Sequence, residues 1–439
     1  MNTTVALGMF PLMLGLIILG APVAMALIVP AVIGGWFAFG PMMIDQLFGS
    51  VFSSSTNYIL SAIPMFVLMG AILEKSGVAE KLYGAMQILL GKLPGGLAIA
   101  TIAMGAIFAA AAGVVGAVEI MIGLMAIPAM KKYHYNHGLI AGTICAGGSL
   151  GTMIPPSVVA IVYASLARIS VGEVFASMLF PGLIMVGLFI AYIMIFSLFK
   201  KQGKVERLKD EVELSFSEKC QIIIKGLVPA LILIVCVLGS LMAGIASPTE
   251  AAAVGVAGAI LLSFFYRRFS FRMLLSSIKG TVEISAMIMF IVAGGLMFTG
   301  VFAANGGVRF IQNSLSDLEL SLGMTLFLFL FIVFILGFFL DWTANVLITI
   351  PIFVPVLIGL DVDLIWFGAL VLIVIQTSYL TPPMASSIFY LLSIAPPDMK
   401  YSEICKGVVP FIMMQLLTLV VVLVWPEVAL WLPEKLFGF

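Results

Sequence analysis

Two proline pairs, Pro155-Pro156 and Pro382-Pro383, interrupt long apolar stretches 227 residues apart in matching surroundings. The first lies in GGSLGTMIPPSVVAIVY and the second in VIQTSYLTPPMASSIFY. Proline has no N–H to donate and its ring blocks the preceding turn, so neither stretch continues as one helix. In hydrocarbon the freed backbone groups find no water, and a broken span must line a cavity or pack inside protein. Two such breaks in corresponding halves of a chain point to the substrate and ion site of a secondary transporter.

The membrane setting follows from composition. Of 439 residues, 62% are hydrophobic and 10% are charged, against about 25% charged in a soluble domain. Apolar runs of about 20 residues recur from end to end, which reads as an all-α polytopic membrane protein. The opening MNTTVALGMF has no basic n-region, so its hydrophobic segment is expected to stay as a span. Cys145, Cys220, Cys236 and Cys405 have neither metal nor redox spacing. No P-loop, nucleophile elbow or zinc-ligand pattern occurs, so transport driven by the chain's own ATP hydrolysis is not expected. An intramembrane enzyme would need paired catalytic groups in one span, and no Ser-Lys or HExxH pattern supplies them. No nucleic-acid partner is expected.

Shifting the chain on itself by 227 residues aligns Pro128 with Pro355, Pro155 with Pro382 and Tyr163 with Tyr390. With small drifts, Gly20-Ala21-Pro22 matches Ala246-Ser247-Pro248, and Ser76-Gly77-Val78 matches Gly306-Gly307-Val308. A period this long is a duplication rather than a solenoid. The copies join at the charged stretch 200–219. Basic residues orient them. Eighteen of the 21, from Lys75 to Lys406, fall on one side, and only Arg168, Arg309 and Lys435 fall on the other. The first copy then has spans on either side of Ala21-Pro22, an interfacial segment at 41–57 and a span at 58–74. A re-entrant stretch at 95–130, a broken span at 138–167 and a last span at 175–199 follow. Five crossings are odd, so the second copy is inverted, with its re-entrant stretch at 322–359. Both termini are expected outside.

Three groups of residues carry possible chemistry. Gly147-Gly148-Ser149-Leu150-Gly151-Thr152-Met153-Ile154 combines glycines with hydroxyls before the first proline pair, which favours an unwound segment with exposed carbonyls. Such oxygens suit a hard cation like sodium, and nearby half-helix N-termini favour a carboxylate. Small residues packed tightly beside a kink are the plainer alternative. Gln376-Thr377-Ser378-Tyr379-Leu380-Thr381 precedes the second pair with an amide and more hydroxyls. The hairpin tips, near Ala112-Gly113-Val114-Val115-Gly116 and Phe339-Leu340-Asp341-Trp342-Thr343, are related by the same offset. Asp341, Asn345 and Glu119 lie within apolar runs, where a carboxylate costs roughly 2.5 to 3.5 kcal/mol on the insertion scale. Each is an ion or proton ligand, or a cap on a broken helix. Ser247-Pro248-Thr249-Glu250 has the form of a capping box. His134 and His137, beside Lys131-Lys132, lack a third metal ligand.

At KLPGGLAIA (92–100), GSLG-x-x-IPPS (148–157), SPTEAAAVG (247–255), GFFLDW (337–342) and TPP (381–383), the chain resembles the large membrane subunit of tripartite ATP-independent periplasmic (TRAP) transporters, the DctM-like family. The GVVGA tip and QTSYLTPP stretch look closer to the branch handling keto acids and related organic acids. The resemblance implies an elevator of the ion-transporter type, with inverted repeats, two re-entrant hairpins and two discontinuous helices. It implies scaffold helices at 1–92 and 220–318 and transport halves at 93–199 and 319–425. The charged linker would be cytoplasmic, and 426–439 an interfacial tail. Activity would be sodium-coupled uptake of an organic acid anion across a bacterial inner membrane, with a small four-helix membrane subunit and a periplasmic substrate-binding protein as partners. Sodium ligands would carry over to Gly113, Gly148, Ser149, Gly151 and Ile154, and to Asp341, Asn345, Gln376, Ser378 and Thr381. Substrate contacts would fall on Ser149, Thr152, Glu119 and Asp341. Many members have serines at the first tip, where this chain has Ala112-Gly113-Val114-Val115, which leaves only backbone oxygens there. A self-sufficient sodium- or proton-coupled anion carrier is the alternative.

Overall fold

The computed structural model describes residues 3–112, 115–200, 215–383 and 385–438, and no strand occurs among them. The first repeat comprises α1 (Thr3–Ile18), α2 (Val23–Phe39), α3 (Met43–Ser55), α4 (Ala62–Lys75), α5 (Val78–Leu90), α6 (Gly96–Ala112), α7 (Val115–Lys132), α8 (His137–Ser149), α9 (Val158–Ala167) and α10 (Val171–Lys200). The second comprises α11 (Phe216–Met242), α12 (Pro248–Phe265), α13 (Phe271–Ala304), α14 (Gly307–Asp317), α15 (Leu322–Leu336), α16 (Trp342–Gly359), α17 (Leu364–Leu380), α18 (Ser386–Leu392) and α19 (Tyr401–Val424), followed by α20 (Glu427–Phe437).

The repeat is visible in these boundaries. Val115 and Trp342 open α7 and α16, and His137 and Leu364 open α8 and α17, each pair separated by 227 residues. Packing follows the same symmetry. α2 packs on α13 as α12 packs on α4, and α8 on α19 as α17 on α10. One element departs from it. The segment expected in the interface at 41–57 is the 13-residue α3, whereas the second repeat runs through the same region as one 34-residue helix, α13. Asn57 accounts for the difference: its Oδ1 accepts from the Ile59 N–H at 3.0 Å, turning the chain before α4.

Polar side chains close the helix ends as their sequence positions demand. Asn136 caps α8 by accepting from Gly138 N–H at 2.8 Å, and Asp363 caps α17 by accepting from Ile365 N–H at 2.7 Å. The capping box at α12 is formed, with Ser247 N–H donating to Glu250 Oε2 at 2.7 Å. At the basic end, Lys131 pairs with Asp398 at 2.6 Å, and His137 Nδ1 lies 3.2 Å from Glu403. These contacts tie the α7–α8 corner to the α18–α19 connection.

By length and composition, seven stretches among the described residues are apolar enough to cross a membrane: α2 with α3, α10, α11, α12, α13, α16 and α19. The bent pair α4–α5, angled at 66°, would make an eighth. The shorter apolar helices include α6, α9, α15 and α17, the hairpin arms and half-spans. Burial sorts these classes. Outer helices such as α11 and α19 keep much of their surface exposed, whereas α8 is buried from Leu139 to Ser149 and α17 along nearly its whole length. Glycines permit the close approach. A Cβ on Gly105 would meet the Gly147 backbone, and one on Gly407 would fall on the Gly138 backbone. With no difference in apolarity between lipid and side chain, such small-residue contacts hold membrane helices together.

Gly407→Ala is therefore expected to force α8 and α19 apart, at about 1–3 kcal/mol of overpacking. Gly187→Ala on α10 meets open space and is expected to be neutral or slightly stabilising, by up to about 1 kcal/mol. Thermal unfolding of the two variants in detergent checks the contrast.

Candidate functional site

Each break follows from its local sequence. α8 tightens after Ser149 into a 3-10 turn over Leu150–Thr152. The Met153 and Ile154 N–H groups both donate to the Leu150 carbonyl, at 3.0 and 2.8 Å. From Pro155 to Ala160 no N–H donates to the backbone among the described residues, until Ile161 reaches the Ser157 carbonyl at 3.2 Å. α9 thus starts without a side-chain cap, because the Ser157 hydroxyl turns back to the Thr152 carbonyl at 2.9 Å. In the second break, Thr381 N–H donates to Ser378 O at 3.2 Å, and α18 restarts where Ile388 N–H reaches Ala385 O at 2.8 Å. Both proline pairs are joined by cis bonds.

The two breaks meet. Gln376 Nε2 donates to Ser149 Oγ at 3.2 Å, and both residues are buried. These residues are separated by the repeat offset of 227, so each is the other's counterpart and their contact lies on the local twofold axis. Around it the broken helices exchange neighbours. α8 packs between α6 and α7 of the first hairpin, but the second half of the other span, α18, also packs on α7. Likewise α17 packs on α15, while α9 packs on α16. Each broken span begins against its own hairpin and ends against the opposite one. Tyr163 Oη fastens this crossing by donating to the Leu364 carbonyl at 2.6 Å.

The hairpin tips stand level with the breaks. A Cβ on Gly116 would lie 2.7 Å from the Tyr390 ring, and one on Gly337 would meet the Ser378 hydroxyl. A Cβ on Gly148 would fall on the Glu119 side chain. Of the residues singled out from sequence, Gly148, Ser149, Gly151 and Thr152 are buried in the first break, with Ile154 half-buried beyond them. Gln376 and Ser378 are buried in the second, with Thr381 half-buried. Gly113 lies outside the described residues.

The polar atoms have a common character. Ser149, Thr152, Ser378 and Thr381 donate their hydroxyl hydrogens to the carbonyls of Ala146, Ser149, Ile375 and Thr377, at 2.7–2.9 Å. With its hydrogen committed, each oxygen keeps lone pairs for an incoming electropositive group. Asn345 Nδ2 donates to Val333 O at 2.8 Å, leaving its buried Oδ1 without a partner among the described residues. Gln376 Oε1 is in the same position. Buried acceptors lacking donors are the donor set that a hard cation requires. Asp341 caps α16: its Oδ2 accepts from Thr343 N–H at 3.2 Å and from Thr343 Oγ1 at 2.8 Å. Glu119 is fully buried, and neither of its oxygens has a hydrogen-bond partner among the described residues. No cluster of three or more His, Cys, Asp or Glu occurs among the described residues. Ser387 was not singled out from sequence, Tyr379 only within the stretch before the second proline pair, and Tyr390 only as a landmark. Their shared signal is position, within one to two turns of a proline pair.

A separate cavity of about 220 Å3 opens between α3 and α13 on one side and α9 and α16 on the other. Asn57, Ser165 and Arg168 line it, and Asn57 Nδ2 donates to Ser165 Oγ at 2.8 Å across it.

Inverted repeats, two hairpins and two discontinuous helices crossing on a twofold axis define a secondary-transporter fold. In accord with this, the structure superposes on Neisseria gonorrhoeae MtrF, described as illuminating a class of antimetabolite efflux pumps, with TM-score 0.66 over 97% of this chain and 95% of that one. Identity is 13%, so the likeness is one of fold. Residues 10–428 match the model of the tripartite ATP-independent periplasmic transporter DctM component. The chain is 32% identical to the C4-dicarboxylate TRAP transporter large permease protein DctM of Pseudomonas aeruginosa, over 91% of both chains. It is 28% identical to the ectoine TRAP transporter large permease protein TeaC of Halomonas elongata, over 97% of this chain and 98% of that one. The chain belongs to the DctM family of TRAP transporter large permeases, and it is a multi-pass membrane transporter subunit rather than an enzyme.

Asp341→Ala removes the α16 cap and is expected to lower stability by about 0.5–2 kcal/mol, whereas Asp341→Asn keeps an accepting oxygen and should stay within about 0.5 kcal/mol. Unfolding midpoints of the two purified variants separate cap from charge.

Proposed function

We propose that this chain forms the translocation path of a three-component system that takes up a small organic acid anion across a bacterial inner membrane, driven by sodium. A periplasmic protein delivers the anion, and a small four-helix membrane subunit completes the permease. The family model supports the tripartite assembly, and relatives named for a C4-dicarboxylate and for ectoine support small organic substrates. One observation carries the ionic reading: buried acceptor oxygens without donors, on Gln376 and Asn345, stand beside two broken helices. Sodium fits that donor set, with Gly148, Ser149, Gly151 and Ile154 on one side of the axis and Asp341, Asn345, Gln376, Ser378 and Thr381 on the other. The anion would sit between the sites, near Ser149 and Thr152.

Energetically the coupling is adequate, since each positive charge entering down about 100 mV supplies about 2.3 kcal/mol before any concentration gradient. The hairpins and broken helices would move together as an elevator past the scaffold helices. The cavity beside Arg168 lies on the boundary such a movement would shear. The distribution of basic residues supports a periplasmic position for both termini.

Uptake into proteoliposomes holding both membrane subunits is expected to require an inward sodium gradient and the substrate-loaded binding protein. Uptake that needs neither would overturn the reading and favour a self-sufficient carrier. Asp341→Asn and Thr381→Val are expected to lower sodium-dependent uptake about tenfold or more, equivalent to about 1.4 kcal/mol, while Gly187→Ala retains it.

A further inference from the structure

The oxygens at the twofold contact are acceptors in need of donors. The cavity of about 220 Å3 between α3 and α13 on one side and α9 and α16 on the other has the opposite character. Ser53, Asn57, Ser165 and Arg168 supply its polar lining, and neither an aspartate nor a glutamate lines it. Leucine, valine and proline side chains form the rest of the wall.

Its polar hydrogens are largely uncommitted. Ser165 Oγ accepts from Asn57 Nδ2 at 2.8 Å, while the Ser165 hydroxyl hydrogen reaches no acceptor among the described residues. Ser149, Thr152, Ser378 and Thr381 behave otherwise, each donating to a carbonyl three or four residues back. A side-chain amide carries two N–H bonds. The second one of Asn57 is also without an acceptor among the described residues, and its Oδ1 is already taken by the Ile59 N–H at 3.0 Å. The Arg168 guanidinium brings five more N–H donors. It makes neither a hydrogen bond nor an ion pair among the described residues, and it is exposed at the edge of the cavity.

The Arg168 backbone adds an independent observation. The residue closes α9 at φ 58° and ψ 41°, the left-handed position that helix ends ordinarily give to glycine. Any side chain there is held in a disfavoured conformation. A positive charge does suit a helix C-terminus, but that role calls for no cavity lined by further donors. One positive charge, free N–H and O–H groups and apolar walls together match an anion with an apolar body. A guanidinium grips a carboxylate through two parallel N–H···O bonds. The cavity is smaller than the roughly 300–1,000 Å3 of pockets for drug-sized ligands, which suits an acid of a few carbons.

We propose that this cavity is a carboxylate-binding site separate from the twofold contact: Arg168 pairs with the acid group of a small organic anion, and Ser165 and Asn57 donate to it from the wall. Asn57 belongs to the turn after α3, whereas Ser165 and Arg168 belong to the first broken span. The bound acid therefore bridges the two and favours the conformation described here. None of the candidate sodium ligands lines the cavity, so binding there does not require sodium. Only the identity of this acid with the transported one rests on the function proposed above.

The test is thermal unfolding of the full chain, purified in detergent, in sodium-free buffer. Potassium succinate is the probe, compared with potassium chloride at equal ionic strength. A ligand that binds only the folded state raises the unfolding midpoint, and succinate is expected to raise it in a saturable way. Arg168→Gly suits the left-handed backbone, so its ligand-free midpoint is expected to be unchanged or higher. Its dissociation constant for succinate is expected to rise about tenfold or more, as for loss of a charge-assisted pair. Asn57→Asp keeps the acceptor for the Ile59 N–H but sets a negative charge in the cavity, and is expected to abolish the succinate effect. Absence of a succinate effect in the wild type, or an effect that survives Arg168→Gly, overturns the proposal. A lower ligand-free midpoint in Arg168→Gly with succinate binding unaltered makes Arg168 a helix cap only, and also overturns it. Dioleoylphosphatidylglycerol in mixed micelles is the second probe. A response to that lipid, lost in Arg168→Gly and without any response to succinate, assigns the cavity to a phosphate headgroup and overturns the carboxylate. Because sodium is absent throughout, the result stands whether or not sodium drives uptake.

Discussion

Backbone hydrogen bonding in a medium without water governs this molecule. Two helices are interrupted where no lipid group can replace the lost bonds, and the rest of the fold encloses those interruptions. The half-spans α8 and α17 are buried almost completely, while α10, α11 and α19 keep most of their apolar surface exposed. The hairpins have the same physical origin. A hairpin whose tip reaches the level of a break supplies protein surface exactly where hydrocarbon would be intolerable, as Gly116 does at Tyr390 and Gly337 at Ser378. The breaks are thus sealed by neighbouring elements rather than removed, and a sealed polar region in mid-membrane is what a transported ion needs.

Twofold symmetry explains how one duplication generates a complete enclosure. Because each broken span ends against the hairpin of the other repeat, neither repeat can bury its own break alone. The Ser149–Gln376 hydrogen bond marks the axis, where one position of the duplication contacts its own copy. Had both residues stayed identical, two serines or two glutamines would have had to satisfy each other across the axis. Divergence to a donor amide and an accepting hydroxyl resolves that, and leaves Gln376 Oε1 free.

Much of this was legible in the sequence, for reasons tied to particular residues. Pro155-Pro156 and Pro382-Pro383 announced the breaks because proline's effect on a helix is local. Lysine and arginine placement announced the inversion because it reflects insertion rather than packing. The boxes at 148–157, 247–255 and 337–342 announced the family. What stayed hidden depends on distance across the fold. Nothing in the local sequence of Asn57 says that it divides α3 from α4 while α13 remains continuous. Asp341 read as a ligand or a cap, and only its geometry with Thr343 shows that it caps α16. Ser387, five residues beyond Pro382, belongs beside Glu119 only because α18 crosses to the other hairpin.

The duplicated halves have also divided their polar chemistry. Under the offset of 227, Glu119 corresponds to Val346 and Asn345 to Val118, and Asp341 corresponds to Val114. Each of these three polar groups thus has a valine at the matching position of the other hairpin. Separate placement gives the two hairpins different polar groups. The second, with Asp341 capping α16 and Asn345 holding a free acceptor, presents a charge and an oxygen near the twofold contact. The first, with Glu119 packed against Gly148, presents a buried carboxyl group without a hydrogen-bond partner among the described residues. Symmetry supplies the enclosure, and departure from symmetry supplies the polar contrast between the two hairpins.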